Sequence, residues 1–213
     1  VTEEKEHLVH CPWWSPDGAF IVAKKDFTST RSIPAGEIWL FSVGGGEGLQ
    51  LTERPQGPKD QKTMADPAFS PDGRYVYYSQ DATPGRTWEY NKDSTGQIFV
   101  MRRLDRLRGE TEVIAGGPGG AVRPIPSPEG TRLAFVKRLP GLVSAIYLMD
   151  LTTGKEWSVY GRFERDLQET SGAHGNAPLF AWTPGGDALV FWSGGTFHRL
   201  DVATKQATPI PVH

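Results

Sequence analysis

The sequence predicts an all-β fold, a β-propeller of four-stranded antiparallel blades, and three repeated features predict it. The first is a tight turn, Ser-Pro-Asp-Gly in the first two repeats, Ser-Pro-Glu-Gly in the third and Thr-Pro-Gly-Gly in the fourth. The Ser-Pro-Asp-Gly form combines a proline of preset φ, a side-chain acceptor and a glycine that tolerates positive φ. The second is the spacing: the first residues of the four turns, Ser15, Ser70, Ser127 and Thr183, are 55, 57 and 56 positions apart. The third is that apolar runs of strand length flank every turn. Tandem repeats of this length with four short strands each are typical of propeller blades.

The first two repeats show the same order of strands. The predicted strands are residues 12–14, 19–23, 37–41 and 49–51 in the first repeat, and residues 67–69, 75–78, 97–101 and 112–115 in the second. Valine, isoleucine and aromatic residues are frequent in these runs, as is typical of strands. Both repeats carry a polar insertion between the second and third strands, residues 24–36 and 81–96. Because the insertions occupy the same place in the repeat, we expect them at the same end of the propeller.

The third and fourth repeats follow the same plan. Their predicted strands are residues 124–126, 133–136, 145–149, 157–160, 179–182, 188–192, 196–200 and 207–210. We therefore expect one propeller segment over residues 1–213, with blades at approximately residues 8–53, 64–116, 121–161 and 176–211. The alternative is a β-sandwich of many short strands, but a sandwich has no reason to repeat its turn chemistry at regular intervals.

Composition limits the classes of partner. With 213 residues, 38% of them apolar, the chain can bury a substantial core. A net charge of −2 without a basic stripe argues against nucleic acid as a partner, and no apolar run approaches the length of a membrane span. The single cysteine, Cys11, cannot form an internal disulfide, so cysteine usage leaves the cellular location unknown. No cofactor is predicted for this chain.

Several sequences resemble a known propeller repeat. The turn Ser70-Pro71-Asp72-Gly73, the strand Arg74-Tyr75-Val76-Tyr77-Tyr78 and the third-strand sequences Ile38-Trp39-Leu40 and Ile146-Tyr147-Leu148 resemble the TolB-type, WD-like repeat. The resemblance covers nearly the whole chain in four copies.

The insertions resemble a more specific family. Residues 25–32, 80–85 with 89–93, and 119–124 are similar to the propeller that precedes the catalytic barrel in large bacterial amidohydrolases. In that family the propeller has more than four blades, so the resemblance implies a partial propeller. It also favours a periplasmic or secreted location.

The sequence lacks the motifs of the expected catalytic centres. A metal-dependent amidohydrolase needs a His-x-His pair, because alternate residues of a strand project to one face and can bind one ion. The five histidines are His7, His10, His174, His198 and His213, and no two are separated by a single residue. The Gly-x-Ser-x-Gly motif of serine hydrolases is also absent. We therefore expect no catalytic residue and no metal site in these residues, whereas the resemblance implies a metal-dependent amidohydrolase as the parent protein.

Candidate ligand-binding residues lie just before the first strand of each repeat, where they would line a central channel. Alignment on the prolines places Cys11, Asp66, Arg123 and Ala177 in equivalent positions, with His10 one residue earlier. Asp66 and Arg123 suit a small charged ligand, or a cation with its counter-ion. The alternative is that they pair with each other or cap strand ends. His174, between two nearby glycines, faces the same rim or is an exposed loop residue.

The two insertions carry candidate partner-binding residues, Phe27, Arg31, Trp88 and Tyr90. These residue types are enriched in the cores of protein interfaces. The alternative is that each aromatic folds back over its own blade.

Three functions fit these observations. The first is a non-catalytic propeller segment that packs on, or gates, the downstream barrel of an amidohydrolase-like enzyme. The second is a stand-alone TolB-like propeller that binds other proteins, and the third is the gating propeller of a prolyl-oligopeptidase-type serine peptidase. Unpaired edges of the first and last blades also lead us to expect self-association.

Overall fold

The structure is a computed structural model that describes residues 4–28, 34–87, 96–141, 143–164 and 177–211. Within these ranges the chain forms sixteen strands, arranged in four four-stranded antiparallel sheets. The strands of each sheet lie side by side in chain order. The predicted all-β propeller of four four-stranded blades is confirmed. None of the described residues forms a helix of the length and apolar character needed to cross a membrane.

Each blade is one sheet. Blade 1 consists of β1 (Val9–Trp14), β2 (Phe20–Thr28), β3 (Pro34–Ser42) and β4 (Leu49–Gln50). Blade 2 consists of β5 (Met64–Phe69), β6 (Tyr75–Asp81), β7 (Phe99–Asp105) and β8 (Glu110–Ala115). Blade 3 consists of β9 (Val122–Pro126), β10 (Arg132–Leu139), β11 (Val143–Asp150) and β12 (Glu156–Tyr160). Blade 4 consists of β13 (Phe180–Trp182), β14 (Ala188–Ser193), β15 (Thr196–Asp201) and β16 (Ala207–Ile210).

The Ser-Pro-Asp-Gly turns form as predicted. In the first turn the Gly18 N–H donates to the Ser15 carbonyl at 3.0 Å, and the Ser15 hydroxyl accepts from the Phe20 N–H at 2.9 Å. Gly18 has a φ of +70°, which explains the glycine at this position. The other three turns repeat the first bond, from glycine N–H to serine or threonine carbonyl, at 2.9 Å.

The blades pack face to face through side chains that alternate along their strands. In β10, Leu133 and Phe135 pack against blade 2, whereas Ala134 and Val136 pack against blade 4. Blades 1 and 2 are joined in the same way by a third apolar cluster. The two faces of a blade therefore contact different neighbours, and apolar residues on both faces of a strand form the core between blades.

The two ends of the propeller differ in their connections. The turns from first to second strand and from third to fourth strand lie at one end, which we call the turn end. The β2–β3 and β6–β7 connections and the links between blades lie at the other, because neighbouring strands are antiparallel. At this insertion end the link after β4 contacts both insertions: Gly36 N–H donates to Thr63 Oγ1 at 3.0 Å, and Gln56 Nε2 donates to the Gly85 carbonyl at 2.9 Å.

The first insertion contains more strand than the sequence indicates. Residues 24–36 are polar, but β2 continues to Thr28 and β3 begins at Pro34. Lys25 and Asp26 are only 7% and 8% exposed, because Lys25 pairs with Glu4 and Asp26 pairs with Lys24. Paired charges of this kind do not produce the apolar pattern that identifies a strand, so the sequence prediction ended β2 too early.

Candidate functional site

The candidate site is built on the first strands of the blades. These strands line the propeller axis, since β1 contacts β5 and β5 contacts β9. Cys11, Asp66 and Arg123 lie in these strands directly before a proline, and their φ angles are 53°, 52° and 58°. Strand pairing is interrupted at all three positions. Few residues other than glycine adopt this left-handed conformation, and such strain is concentrated at functional sites.

The fourth blade departs from this pattern. Ala177 is at the equivalent position, and strand pairing in blade 4 begins only at Phe180. The positive φ is thus observed at this position in blades 1, 2 and 3. The alignment on the prolines placed these three residues together but did not predict their backbone conformation.

Blade 1 contributes a hydrogen-bonded series of side chains. His10 Nε2 lies 2.9 Å from Asp26 Oδ2, and Lys24 Nζ lies 2.9 Å from Asp26 Oδ1. Since an ionised carboxylate only accepts, Nε2 donates and Nδ1 of the neutral ring is an acceptor. Cys11 Sγ lies 3.5 Å from this Nδ1, and its thiol donates. The imidazole is thus fixed between Asp26 and Cys11.

Blades 2, 3 and 4 are connected through Arg123. Ser79 Oγ donates to Asp66 Oδ2 at 3.2 Å and accepts from the Arg123 backbone N–H at 2.9 Å. The Arg123 side chain is 8% exposed, and its Nη1 donates to the carbonyl oxygens of Ala177 and Pro178 at 3.1 and 2.7 Å. Its Nε has no hydrogen-bond partner among the described residues. The guanidinium is therefore fixed in place, and the described part of the chain does not use all of its donors.

The pKa shifts show that these groups share one electrostatic environment. Burial raises the pKa of the Cys11 thiol, Asp66 raises it further, and Lys24 and Arg123 oppose the rise. Burial lowers the pKa of Arg123, while Asp66 and Cys11 oppose that change. Asp66 and Arg123 are not among the direct ion pairs of the described residues, so their attraction acts at longer range. The sequence alternative in which these two residues pair directly is not observed.

This arrangement is suited to binding. Arg123 can donate to a carboxylate or phosphate, and Asp66 can accept from an amine or another donor. Cys11 has a raised pKa, so at neutral pH it is a thiol and lacks the thiolate that a nucleophilic cysteine requires. The described residues contain no group of three or more His, Cys, Asp or Glu side chains placed to hold a metal ion.

Of the four predicted channel residues, Asp66 and Arg123 are linked through Ser79, whereas His10 contacts Asp26 of its own blade and the neighbouring Cys11. His174 lies outside the described residues. The same is true of Arg31, Trp88 and Tyr90, so their predicted roles stay predictions.

Phe27 is the described member of the predicted partner-binding set. Its ring is 4.6 Å from the His7 ring and 6.2 Å from the Trp39 ring. The Arg54 guanidinium lies 5.2 Å and the Lys25 ammonium 5.6 Å from its centroid. Phe27 is half-buried and contacts its own blade and the link that follows, as the alternative interpretation described. Its role in binding a partner stays a prediction.

Sequence reasoning missed the buried charges of the insertion end. Arg54 Nε donates to Glu37 Oε1 at 2.9 Å, and Arg54 Nη1 donates to the carbonyls of Pro58 and Asp60 at 3.0 and 3.1 Å. Lys62 Nζ lies 3.7 Å from Asp81 Oδ1. Charged residues in a polar link carry no periodic signal, so nothing in the sequence distinguishes them from solvated residues.

No protein-family model and no curated protein matches the sequence. Solved structures do share the fold. TolB from Acinetobacter baumannii has a TM-score of 0.67 at 16% identity, over 95% of this chain and 43% of that chain. The tricorn protease has a TM-score of 0.67 at 11% identity, over 98% of this chain and 22% of that chain. An oligogalacturonate lyase in complex with manganese has a TM-score of 0.64 at 11% identity, over 99% of this chain and 55% of that chain.

These similarities establish the fold alone. They confirm the predicted TolB-like propeller, and the chain spans less than two thirds of the length of each of the three proteins. Since those proteins differ in activity, function has to be argued from the site.

Proposed function

We propose that this chain is a non-catalytic propeller segment of an amidohydrolase-like enzyme, which packs on a catalytic barrel or gates access to it through the insertion end. The observation that carries the proposal is that Asp66 and Arg123, from blades 2 and 3, are linked through Ser79 and act electrostatically on Cys11 of blade 1. A substrate that reaches a barrel along this axis passes a fixed cation and a fixed anion.

The chemistry of the site supports binding. The Arg123 guanidinium is anchored by two carbonyls of the neighbouring blade, so it is preorganised for a ligand and loses little entropy on binding. The Cys11 thiol is protonated at neutral pH because its pKa is raised. We therefore expect no amidase or peptidase turnover from the purified chain. Metal-dependent hydrolysis that survives repurification and is lost in Asp66→Ala would contradict this expectation.

The coding sequence around this chain in its native gene is the first test. A His-x-His motif downstream of His213 would support the amidohydrolase segment. A Gly-x-Ser-x-Gly motif there would support a peptidase gating propeller instead, and a stop codon would support a stand-alone module.

A kinetic test addresses the site in the intact enzyme. Asp66→Asn keeps an acceptor for the Ser79 hydroxyl but removes the negative charge, so we expect KM for a charged substrate to change about tenfold with little change in kcat. Glu110→Gln, at an exposed position in β8, is the matched control and should leave both constants unchanged. Unchanged kinetics in Asp66→Asn would remove the site from the substrate path.

The second candidate is a stand-alone TolB-like propeller that binds protein partners. The observation that favours it is that the fold shared with TolB extends over 95% of this chain. In that case the intact protein ends without a catalytic domain, and Asp66→Asn weakens binding of a protein partner rather than changing an enzymatic rate.

A further inference from the structure

The charged groups of the axial site differ in how they are paired. The four charged side chains that act on the Cys11 thiol are Asp66, Lys24, Arg123 and Asp26. Lys24 and Asp26 form an ion pair, with Nζ 2.9 Å from Oδ1. Asp66 and Arg123 attract each other but form no direct ion pair within the described residues. One cation and one anion of the site are therefore available to a ligand.

Both available charges are held in place by neutral groups. The Ser79 hydroxyl donates to Asp66 Oδ2 at 3.2 Å and accepts from the Arg123 backbone N–H at 2.9 Å. Ser79 is 1% exposed, so one buried hydroxyl fixes the position of one segment relative to the other. Among the described residues, only this hydroxyl donates to the Asp66 carboxylate. The carboxylate thus keeps acceptor capacity for an ammonium group.

The Arg123 guanidinium keeps donors for a carboxylate. Of its nitrogens, Nη1 alone bonds to described residues, and its two acceptors are carbonyl oxygens of the link before β13. The side chain is 8% exposed, and carbonyls do not neutralise a buried cation. Burying a charge without a counter-charge is costly, and a ligand carboxylate that pairs with the guanidinium removes this cost.

Trp13 limits the size of a ligand. It lies in β1 two residues after Cys11, towards the turn end. Its indole packs against the apolar cluster of blades 1 and 2 and also against that of blades 3 and 4. Because blade 2 lies between blades 1 and 3, the indole extends across the axial side of blade 2, where Ala68 occupies the equivalent position. The indole narrows the axis beside the charged groups, which favours a small ligand.

The charges of the site also select the net charge of the ligand. The charges of Asp66 and Arg123 cancel, as do those of Lys24 and Asp26. A dianion such as phosphate would gain the contact with Arg123 but would be repelled by Asp66, and for a simple cation the reverse holds. A ligand with one ammonium and one carboxylate group can pair with both residues.

We propose that the axial site binds a small amino-acid zwitterion, with its carboxylate on Arg123 and its ammonium group on Asp66. This inference rests on the proposed function, because it names the ligand class of the same site. It concerns binding alone and involves no covalent step.

Isothermal titration calorimetry of the purified chain tests the proposal. The probes are glycine, β-alanine and γ-aminobutyrate, which differ in the separation of their two charges. We expect the best of them to bind about tenfold more tightly than acetate, methylammonium or inorganic phosphate, since each of these can pair with only one of the two residues. Absence of binding by all three amino acids, or tighter binding of phosphate, would overturn the proposal.

Substitutions assign the two contacts. Asp66→Asn keeps an acceptor for the Ser79 hydroxyl but removes the negative charge, so the amino acid should bind about tenfold more weakly and acetate more tightly than to the wild type. Arg123→Gln should weaken both ligands, and circular dichroism checks that it folds. If it does not fold, the opposite responses of Asp66→Asn decide the question. Arg108→Gln, at a turn-end side chain that is 65% exposed, is the matched control and should bind like the wild type. Unchanged amino-acid binding in Asp66→Asn would overturn the proposal.

The result can be separated from that of the proposed function, because binding is measured without a catalytic domain. A zwitterion that binds, together with an unchanged KM of the intact enzyme in Asp66→Asn, would support the ligand class and exclude the gating role. A changed KM without binding of any amino acid would support the gating role and overturn the ligand class.

Discussion

The turn end and the insertion end of the same strands are stabilised in different ways. At the turn end the Ser15 hydroxyl and carbonyl bond to residues at most five positions away, and the pattern recurs in each blade. At the insertion end the contacts join distant residues, such as Arg54 with Glu37 and Gly36 with Thr63. The turn end depends mainly on bonds within each turn, and the insertion end on contacts between segments that are distant in the chain.

This difference predicts different responses to mutation. A turn contributes only a local conformational preference, so a substitution there should lower the free energy of unfolding by a small amount. The insertion end contains buried charges whose partners lie in other segments, and removing one partner leaves the other charge in a region of low dielectric constant. Three stability measurements compare the two ends, beginning with the largest expected effect.

Arg54→Ala should give the largest loss of stability. The Arg54–Glu37 ion pair is almost completely buried, with both side chains 7% exposed, and its loss leaves Glu37 without its cation. We expect the free energy of unfolding to fall by about 3 kcal/mol, as is typical when one member of a buried pair is removed. Urea unfolding followed by circular dichroism measures it.

The matched control is Arg108→Ala. Arg108 lies 4.0 Å from Asp105 and its side chain is 65% exposed, so the change should be below about 0.5 kcal/mol. If Arg54→Ala and Arg108→Ala lower the free energy of unfolding equally, the buried Arg54–Glu37 ion pair contributes no more to stability than an exposed one.

Gly18→Ala should have an intermediate effect. No atom lies within 4 Å of the added methyl group, so the cost arises from the φ of +70° and should be about 1 kcal/mol. Gly44→Ala, at a loop glycine without positive φ, is the control and should be neutral. A loss at Gly18 as large as that of Arg54→Ala would contradict the local character of the turn end.

The pH dependence of stability should show the smallest effect. The Ser70 hydroxyl lowers the pKa of Asp72, partly opposed by burial. A carboxylate with a lowered folded pKa stabilises the protein above its unfolded pKa of about 4, and this contribution is lost as the pH falls through the folded value. Asp72→Asn should therefore reduce the stability difference between neutral and acidic pH. If the free energy of unfolding, measured with urea, depends on pH in the same way in the wild type and in Asp72→Asn, this expectation is wrong.

The repeating parts of the fold could be predicted from the sequence. The residues of each turn themselves favour the turn conformation, and the apolar runs beside the turn identify the strands. The alignment of Cys11, Asp66 and Arg123 follows from the same repeat, because a proline follows each of them at a fixed place, and their role in binding a ligand stays a prediction. The length of β2 could not be predicted, since Lys25 and Asp26 become strand residues only when Glu4 and Lys24 neutralise them.

The sequence by itself determined the number of blades and the order of their strands, because these follow from local turn chemistry and a regular repeat. Only the tertiary structure decided which charges are buried, how His10 connects Cys11 to Asp26, and that Arg123 is held by blade 4 carbonyls. The physical reason is that desolvation, ion pairing and packing depend on segments that are distant in the chain, and a local pattern does not record which segments meet.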